Sequence, residues 1–287
     1  MSRTLAPVSA AGTSLAAARV VAGDPDDIDG DTFATVALLR VVGDRLEVAE
    51  RLPHPVYGAW MSDAGTMYCT CVDGFVAVGR DGAWTREAVG APDEPPERIF
   101  GLPGDRPGAE VVFVASNRAL HVRADGQWTA HPFPDDVDMA FGLHGLSPEA
   151  IYVCTAGEGL HRWNGHAFEL VDMPFAEEPS GVIVTAPDDL LVTADDIRLR
   201  RDGAWSTLAH DGGAPTIAVA QLGGERFVGT RTGVLRLHGG GVELAPLGYC
   251  NLLAAVGDAV IASQSFEGTA VHVYQDGRWR SLALPAV

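Results

Sequence analysis

Clusters of carboxylates are the residues of this sequence with the clearest capacity for chemistry. They lie in proline-containing segments, and the densest clusters are Asp93, Glu94 and Glu97; Asp135, Asp136 and Asp138; and Glu177 with Glu178. Carboxylates in such groups can act as a general acid and base, bind a metal ion or attract a cationic partner. A sequence does not give the distances between them, so these three uses stay open at this point.

Sequence motifs of known catalytic sites do not occur in the chain. There is no His-Glu-x-x-His, no Gly-x-Ser-x-Gly and no phosphate-binding glycine loop before a helix. The nine histidines do not cluster, and His121, His161, His238 and His272 lie far apart, which favours structural roles. We therefore predict no catalytic residue, no metal ligand and no cofactor.

The net charge of −18 narrows the classes of partner. Nucleic acids and anionic membranes require a basic face, so neither is expected as a partner. A basic protein, a cationic ligand or a metal ion is compatible with this charge. No run of 18 apolar residues and no secretory signal is visible, which predicts a cytoplasmic protein, and we expect a monomer.

The four cysteines are predicted to fill the core: Cys69, Cys71, Cys154 and Cys250. Cys69 and Cys71 lie two residues apart on one predicted strand. Their side chains therefore point the same way and cannot easily form a disulfide with each other.

A short turn followed by an aromatic residue recurs along the whole chain. Asp-Gly-x-Trp occurs at 81–84, 125–128, 202–205 and 276–279, with weaker copies at 43–46, 164–168 and 239–242. Asp-Gly between alternating apolar runs predicts a two-residue hairpin turn with positive φ. A recurrence at intervals of about 40 residues predicts repeated copies of one supersecondary unit, with the aromatic packed between neighbours.

The repeats predict an all-β, seven-bladed β-propeller with four antiparallel strands in each blade. A single domain would span residues 1–287, with blades at 1–53, 54–90, 98–134, 138–174, 180–210, 216–247 and 250–287. A ring of six blades with an N-terminal addition and an open sandwich are the alternatives.

The repeats resemble those of bacterial propellers of the BNR/Asp-box, Ycf48-like and ligand-sensing regulator groups. The resemblance rests on the Asp-Gly-x-Trp turns and on similar second strands at 67–71, 112–116, 152–156 and 227–231. It covers 54–287 well and 1–53 loosely. The turns lack the leading Ser/Thr of an Asp-box and its Thr before Trp, so the resemblance implies membership of the superfamily without implying glycosidase activity.

In propellers of this kind, the loops before each first strand share one face with the loops between second and third strands. The carboxylate clusters above fall in loops of that face, together with Asp73, Glu158, Asp195, Asp196, Asp211 and Glu267. At the channel mouth of the same face we expect His54, Tyr57, Trp60, Arg98, Asp138 and Asn251.

A non-enzymatic protein that binds a basic partner through this acidic face is the favoured function. It would act as an adaptor, an inhibitor or an immunity-type protein. A metal-dependent lyase or lactonase with its site at the channel mouth and a lectin-like ring are the alternatives.

Overall fold

A computed structural model describes residues 5–24, 28–29, 32–33, 35–91, 94–104, 108–134, 137, 139–157, 159–264 and 270–285. Every regular element within these ranges is a β-strand, and the strands are numbered β1 to β30 in chain order. This described part contains no helix with the length and hydrophobicity needed to cross a membrane.

Five sheets each consist of four consecutive antiparallel strands. The first two sheets contain β7 (Val56–Met61), β8 (Met67–Cys71), β9 (Phe75–Arg80) and β10 (Ala83–Ala88), and then β11 (Arg98–Leu102), β12 (Val111–Ala115), β13 (Ala119–Ala124) and β14 (Gln127–Pro132). The next two contain β15 (Ala140–Ser147), β16 (Ala150–Thr155), β17 (Gly159–Trp163) and β18 (Phe168–Leu170), and then β19 (Gly181–Ala186), β20 (Asp189–Thr193), β21 (Ile197–Arg201) and β22 (Ala204–Thr207). The fifth contains β23 (Pro215–Leu222), β24 (Glu225–Thr230), β25 (Val234–His238) and β26 (Gly241–Ala245).

The remaining strands form one eight-stranded sheet and one two-stranded sheet. One half of the large sheet contains β1 (Ala6–Ala11), β2 (Arg19–Gly23), β5 (Val36–Val42) and β6 (Arg45–Leu52). The other half contains β27 (Leu252–Val256), β28 (Ala259–Ser263), β29 (Ala270–Gln275) and β30 (Arg278–Ala283). The small sheet pairs β3 (Ile28–Asp29) with β4 (Thr32–Phe33).

Among the described residues, the two halves of the large sheet pair through one parallel bridge, Ala283 with Arg45. Arg280 Nη1 adds an ion pair to Asp44 Oδ1 at 2.9 Å across the same junction. The sequence predicts separate four-stranded units at both ends of the chain, and the structure joins these two units into one sheet because their outermost strands meet.

The first strand of each four-strand run lies innermost. These inner strands, β1, β7, β11, β15, β19, β23 and β27, contact one another in sequence order, and β27 contacts β1. The runs are therefore arranged in a closed ring around a central axis.

Burial changes from the inside of the ring to the outside. Second strands such as β8 (Met67–Cys71) and β28 (Ala259–Ser263) are buried at every residue, because neighbouring sheets cover both of their faces. Fourth strands such as β14 (Gln127–Pro132) are exposed at most positions. The apolar core therefore lies between adjacent sheets, and all four cysteines are buried in it as free thiols.

The Asp-Gly turns have the backbone conformation that the sequence predicts. The four aspartates have φ between 50° and 52°, and the glycines that follow have φ between 76° and 79°. Positive φ at both central residues defines the hairpin turn that matches the twist of the flanking strands. The residues of this kind are Asp81, Asp125, Asp202 and Asp276, each with the next glycine.

The tryptophan after the turn reaches the preceding unit. Trp84 Nε1 donates to Glu50 Oε1 at 2.8 Å, and Trp128 Nε1 donates to Glu87 Oε2 at 2.7 Å. Trp205 Nε1 donates to the carbonyl oxygen of Asp172 at 3.1 Å. The repeated aromatic therefore connects neighbouring units around the ring, as predicted.

Candidate functional site

A cavity of about 450 Å³ lies on the axis enclosed by the inner strands. Much of its wall consists of small residues, including Ala10, Ala59, Gly142, Ala218 and Ala254. Small residues keep the axis open, so the few large or polar side chains on the wall determine what the cavity can bind.

Five residues of the predicted site line this cavity: Tyr57, Trp60, Glu97, Arg98 and Asn251. They are far apart in the sequence and belong to three units of the ring. Tyr57 and Trp60 lie on β7, Arg98 begins β11, and Asn251 directly precedes β27. All five residues reach the wall of the channel because each unit places its first strand at the axis.

Arg98 provides the cationic group of the cavity wall. Its Nε donates to the carbonyl oxygen of Phe141 at 2.6 Å, and its Nη1 donates to the carbonyl oxygen of Glu97 at 3.4 Å. Phe141 belongs to β15, so the first bond ties two adjacent sheets. Burial lowers the pKa of Arg98, and the negative charge of Glu97 partly opposes this shift.

Two other titratable groups of the wall are shifted towards their neutral forms. Burial raises the pKa of Glu97, while the nearby Arg98 opposes the increase. Burial lowers the pKa of His144 to about 4, so its ring is neutral at pH 7. His144 Nδ1 lies 3.3 Å from the backbone N–H of Val184, which donates to it. Arg98 is the permanent charge of this wall, because a guanidinium keeps its proton in proteins.

Trp60 lies at the opposite end of the channel from Arg98, although the sequence predicts both at one mouth. Trp60 pairs with Tyr68 near the turn that follows β7, whereas Arg98 begins its strand. Three residues along a strand cover about 10 Å, so Tyr57 and Trp60 cannot share one rim. The Trp60 ring instead packs against Tyr68, with centroids 5.7 Å apart.

Gly101 makes room for the Trp60 ring. A Cβ atom added at Gly101 would overlap three atoms of the indole. We expect Gly101→Ala to lower the free energy of unfolding by about 1–3 kcal/mol, because the ring must leave its packed position. Urea unfolding measures this change, with Gly224→Ala as the control, since a Cβ there meets no atom within 4 Å. Equal stability of the two variants would contradict the role assigned to Gly101.

His54 does not line the cavity. Its ring packs edge-on against Phe75 at 5.3 Å, and its Nε2 lies 2.6 Å from Nη2 of Arg86. Burial and then the positive charge of Arg86 lower the pKa of His54. The loop before β7 directs this side chain towards β9 and β10, away from the axis expected from the sequence.

The carboxylates of the described rim make contacts within the protein. Glu94 forms an ion pair with Arg118 at 3.2 Å, and Glu177 forms one with Arg198 at 2.7 Å. Glu178 Oε1 accepts a hydrogen bond from the backbone N–H of Gly157 at 2.8 Å. The other predicted rim and mouth carboxylates, Asp93, Asp135, Asp136 and Asp138, lie outside the described residues, as do Glu158 and Glu267.

Carboxylates occur at both ends of the ring. The end that carries the loops before the inner strands and the loops between second and third strands is here called the mouth face. Exposed acids of the mouth face include Asp73, Asp195, Asp196 and Asp211. The opposite face carries the hairpin aspartates Asp81, Asp125, Asp202 and Asp276, which are also exposed. Charge alone therefore does not distinguish one end among the described residues.

No group of three or more His, Cys, Asp or Glu side chains in the described part of the chain could hold a metal ion. His121 and His161 are buried, and burial lowers the pKa of each, that of His121 to about 4. Both rings contact hydroxyls of their own sheet, His121 with Ser116 at 3.2 Å and His161 with Thr155 at 3.2 Å.

Five polar or aromatic residues of the cavity wall were not predicted from the sequence: Ser9, Phe100, Phe141, His144 and Gln221. Phe141 and His144 lie on β15 and Gln221 on β23, both of them inner strands. Their position in the first strand of a repeat could have identified them as channel residues, but the side chains that face the axis depend on the local register. In β15 the register shifts between Ala140 and Gly142.

No protein-family model matches the chain, and no curated protein matches its sequence. Among solved structures, the WD40 β-propeller domain of Doa1 superposes with a TM-score of 0.64 at 12% identity, covering 96% of each chain. The WD40 domain of Pan2 from Neurospora crassa superposes with a TM-score of 0.59 at 10% identity, covering 81% of this chain and 80% of that one. Together with the closed ring of inner strands, these similarities show that the chain has a β-propeller fold.

Proposed function

We propose that this chain is a non-enzymatic protein-binding propeller that captures a basic protein at its mouth face. The fold alone assigns no activity, so the proposal depends on the surface. Three exposed apolar side chains near the inner strands carry it: Met139, Ile217 and Tyr249, with 37%, 45% and 46% of their surfaces exposed.

These apolar side chains belong to segments that lead into the channel. Met139 directly precedes β15, Ile217 lies on β23 and lines the cavity, and Tyr249 lies in the loop before β27. Exposed aromatic and aliphatic side chains surrounded by polar residues are typical of protein interfaces, where they anchor the partner. This set supports the mouth face as the binding face, which charge alone does not.

The exposed carboxylates of the same face favour a basic partner. Asp73, Asp195 and Asp211 are exposed in loops of this face, and the whole chain has a net charge of −18. Such a field speeds association with a positively charged protein and is weakened by salt. This chain would act as an adaptor, an inhibitor or an immunity-type protein. It would bind its basic partner as a monomer in the cytoplasm.

We propose that the chain forms a ring of seven blades. Seven inner strands contact one another in a cycle, and each begins a run of four strands. We interpret the eight-stranded sheet as two blades, because the strand pairing between its halves in the described part of the chain is the parallel pair of Ala283 with Arg45. Membership of the BNR/Asp-box and Ycf48-like superfamily is proposed on the repeat sequences described above.

Charge reversal on the mouth face tests the proposal. We expect Asp195→Lys combined with Asp211→Lys to slow association with a co-purified basic partner by about tenfold at low salt. The difference should shrink at high salt, because screening removes the long-range attraction. Surface plasmon resonance at two salt concentrations measures both effects.

The control reverses two exposed acids of the opposite face, Asp63 and Glu149. This double variant has the same net charge, so it separates the effect of one face from that of total charge. Because all 20 cationic residues of the chain are arginine, the introduced lysines are its only lysine side chains and can be cross-linked to the partner. Equal slowing by both double variants, or no retained basic partner, would contradict the proposal.

Elemental analysis of the purified protein tests the alternative of a metal-dependent lyase or lactonase. One bound divalent ion per chain would favour the metal-dependent enzyme.

A further inference from the structure

Arg98 is held differently from other largely buried arginines of this protein. Four of those arginines contact a carboxylate: Arg123 with Glu87, Arg198 with Glu177, Arg226 with Asp189 and Arg236 with Glu225. Arg98 instead donates to two backbone carbonyl oxygens. Within the described residues, no carboxylate forms an ion pair with its guanidinium within 4.0 Å, and the charge of the neighbouring Glu97 acts on Arg98 from a greater distance.

The carbonyl contacts also fix the orientation of the guanidinium. The bond from Nε to the Phe141 oxygen holds one edge of the group against β15. The five N–H groups of a guanidinium exceed these two acceptors, so N–H donors remain for an anion in the cavity. A carboxylate accepts such donors in pairs, which makes it the natural ligand for a fixed arginine.

The other residues of the wall determine the shape and polarity of the part of the ligand that does not contact Arg98. The aromatic residues Tyr57, Phe100 and Phe141 line the cavity, and so does Ile217, whose side chain is exposed. The ring of His144, neutral at pH 7, lies 4.9 Å from that of Phe100. A volume of about 450 Å³ is in the range of small-molecule pockets.

We infer that the central cavity binds a small aromatic carboxylate, with its carboxyl group on Arg98 and its ring among Tyr57, Phe100 and Phe141. This site lies inside the channel and does not depend on a protein partner at the mouth face. The acidic protein as a whole repels anions, as does Glu97 of the cavity wall when it is ionised, so Arg98 supplies the local attraction.

A matched pair of probes tests this assignment. 4-Fluorobenzoate and 4-fluorobenzamide have nearly the same shape, but only the first is charged. Fluorine NMR on the full chain measures the binding of each. We expect the acid to bind at least about tenfold more tightly than the amide, because only the acid forms the charge-assisted pair with Arg98.

Three variants make the result specific. Arg98→Gln should weaken binding of the acid by about tenfold or more while retaining a donor for the Phe141 oxygen. Arg231→Gln, which changes an exposed arginine of the mouth face, should leave binding unchanged. Ile217→Trp keeps Arg98 and fills the cavity, so it should weaken binding of both probes.

Circular dichroism shows whether each variant is folded, and Ile217→Trp serves as the second test should Arg98→Gln unfold. Equal binding of acid and amide would overturn the assignment. Unchanged binding in folded Arg98→Gln, unchanged binding in Ile217→Trp, or no binding of the acid at about 10 mM would do the same.

Discussion

Replacing Phe227 with alanine is expected to lower the free energy of unfolding by about 3–5 kcal/mol. Phe227 is fully buried on β24, and its ring contacts two aromatic rings of the next unit. The ring centroids lie 5.2 Å from Tyr274 and 6.3 Å from Trp279. Truncation removes the burial of the ring and leaves a cavity between two sheets that cannot fully collapse.

Urea unfolding of the purified protein measures this loss. Val242→Ala is the matched control, because Val242 lies on β26 of the same sheet with 40% of its surface exposed. We expect the control to change stability by less than about 0.5 kcal/mol. A loss at Phe227 no greater than that at Val242 would show that packing between these two sheets contributes little.

The same packing positions part of the proposed binding face. Ile217 lies on β23 of the sheet that contains Phe227, and Tyr249 lies in the loop leading to the sheet that contains Tyr274. We expect a loosening of this contact to change the separation of Ile217 and Tyr249. Stability and partner binding are therefore expected to be coupled at this part of the ring.

The turns and the repeated unit could be predicted from the sequence because their chemistry is local. Asp-Gly determines a hairpin turn within two residues, and the observed φ of 50° at Asp125 and 77° at Gly126 agree with it. The position of Trp128 after that turn repeats in other units, which predicted its contact with the preceding sheet. Local chemistry repeated at a fixed interval is enough to identify a ring of hairpin sheets.

The candidate site was less predictable because its contacts join residues from different units. Tyr57, Arg98 and Asn251 could be assigned to the channel, since each lies at the start of an inner strand. The ion pair of Glu177 with Arg198 could not, because spacing in the sequence does not show which arginine reaches which carboxylate. The position of Trp60 at the far end of the channel was likewise not predicted, because it depends on how far along β7 the residue lies.

Replacing Glu87 with alanine is expected to lower the free energy of unfolding by about 2–4 kcal/mol, somewhat less than for a fully buried pair. Glu87 accepts hydrogen bonds from Arg123 at 2.8 and 2.9 Å and from Trp128 Nε1 at 2.7 Å. The Arg123 side chain is only 12% exposed. Removal of the carboxylate therefore leaves the poorly hydrated guanidinium without its ion pair and the indole N–H of Trp128 without this acceptor.

The contribution of the Glu87 carboxylate to the free energy of unfolding depends on pH. Burial tends to raise the pKa of Glu87, but the hydrogen bonds from Arg123 and Trp128 outweigh it and lower the pKa below 4.5. A carboxyl group whose pKa is lower in the folded state stabilises the protein above its unfolded pKa, and this contribution is lost as the pH falls. The difference in stability between the natural protein and Glu87→Gln should therefore be largest near pH 7 and shrink below pH 4.5.

Urea unfolding at pH 7 and pH 4 measures this difference, with Glu169→Gln as the control. Glu169 also contacts an arginine, Arg162 at 3.5 Å, but its side chain is 52% exposed. An exposed pair contributes less than about 1 kcal/mol, so the control should differ little from the natural protein at either pH. A difference that stays constant between these two pH values would contradict the role assigned to the ionised carboxylate of Glu87.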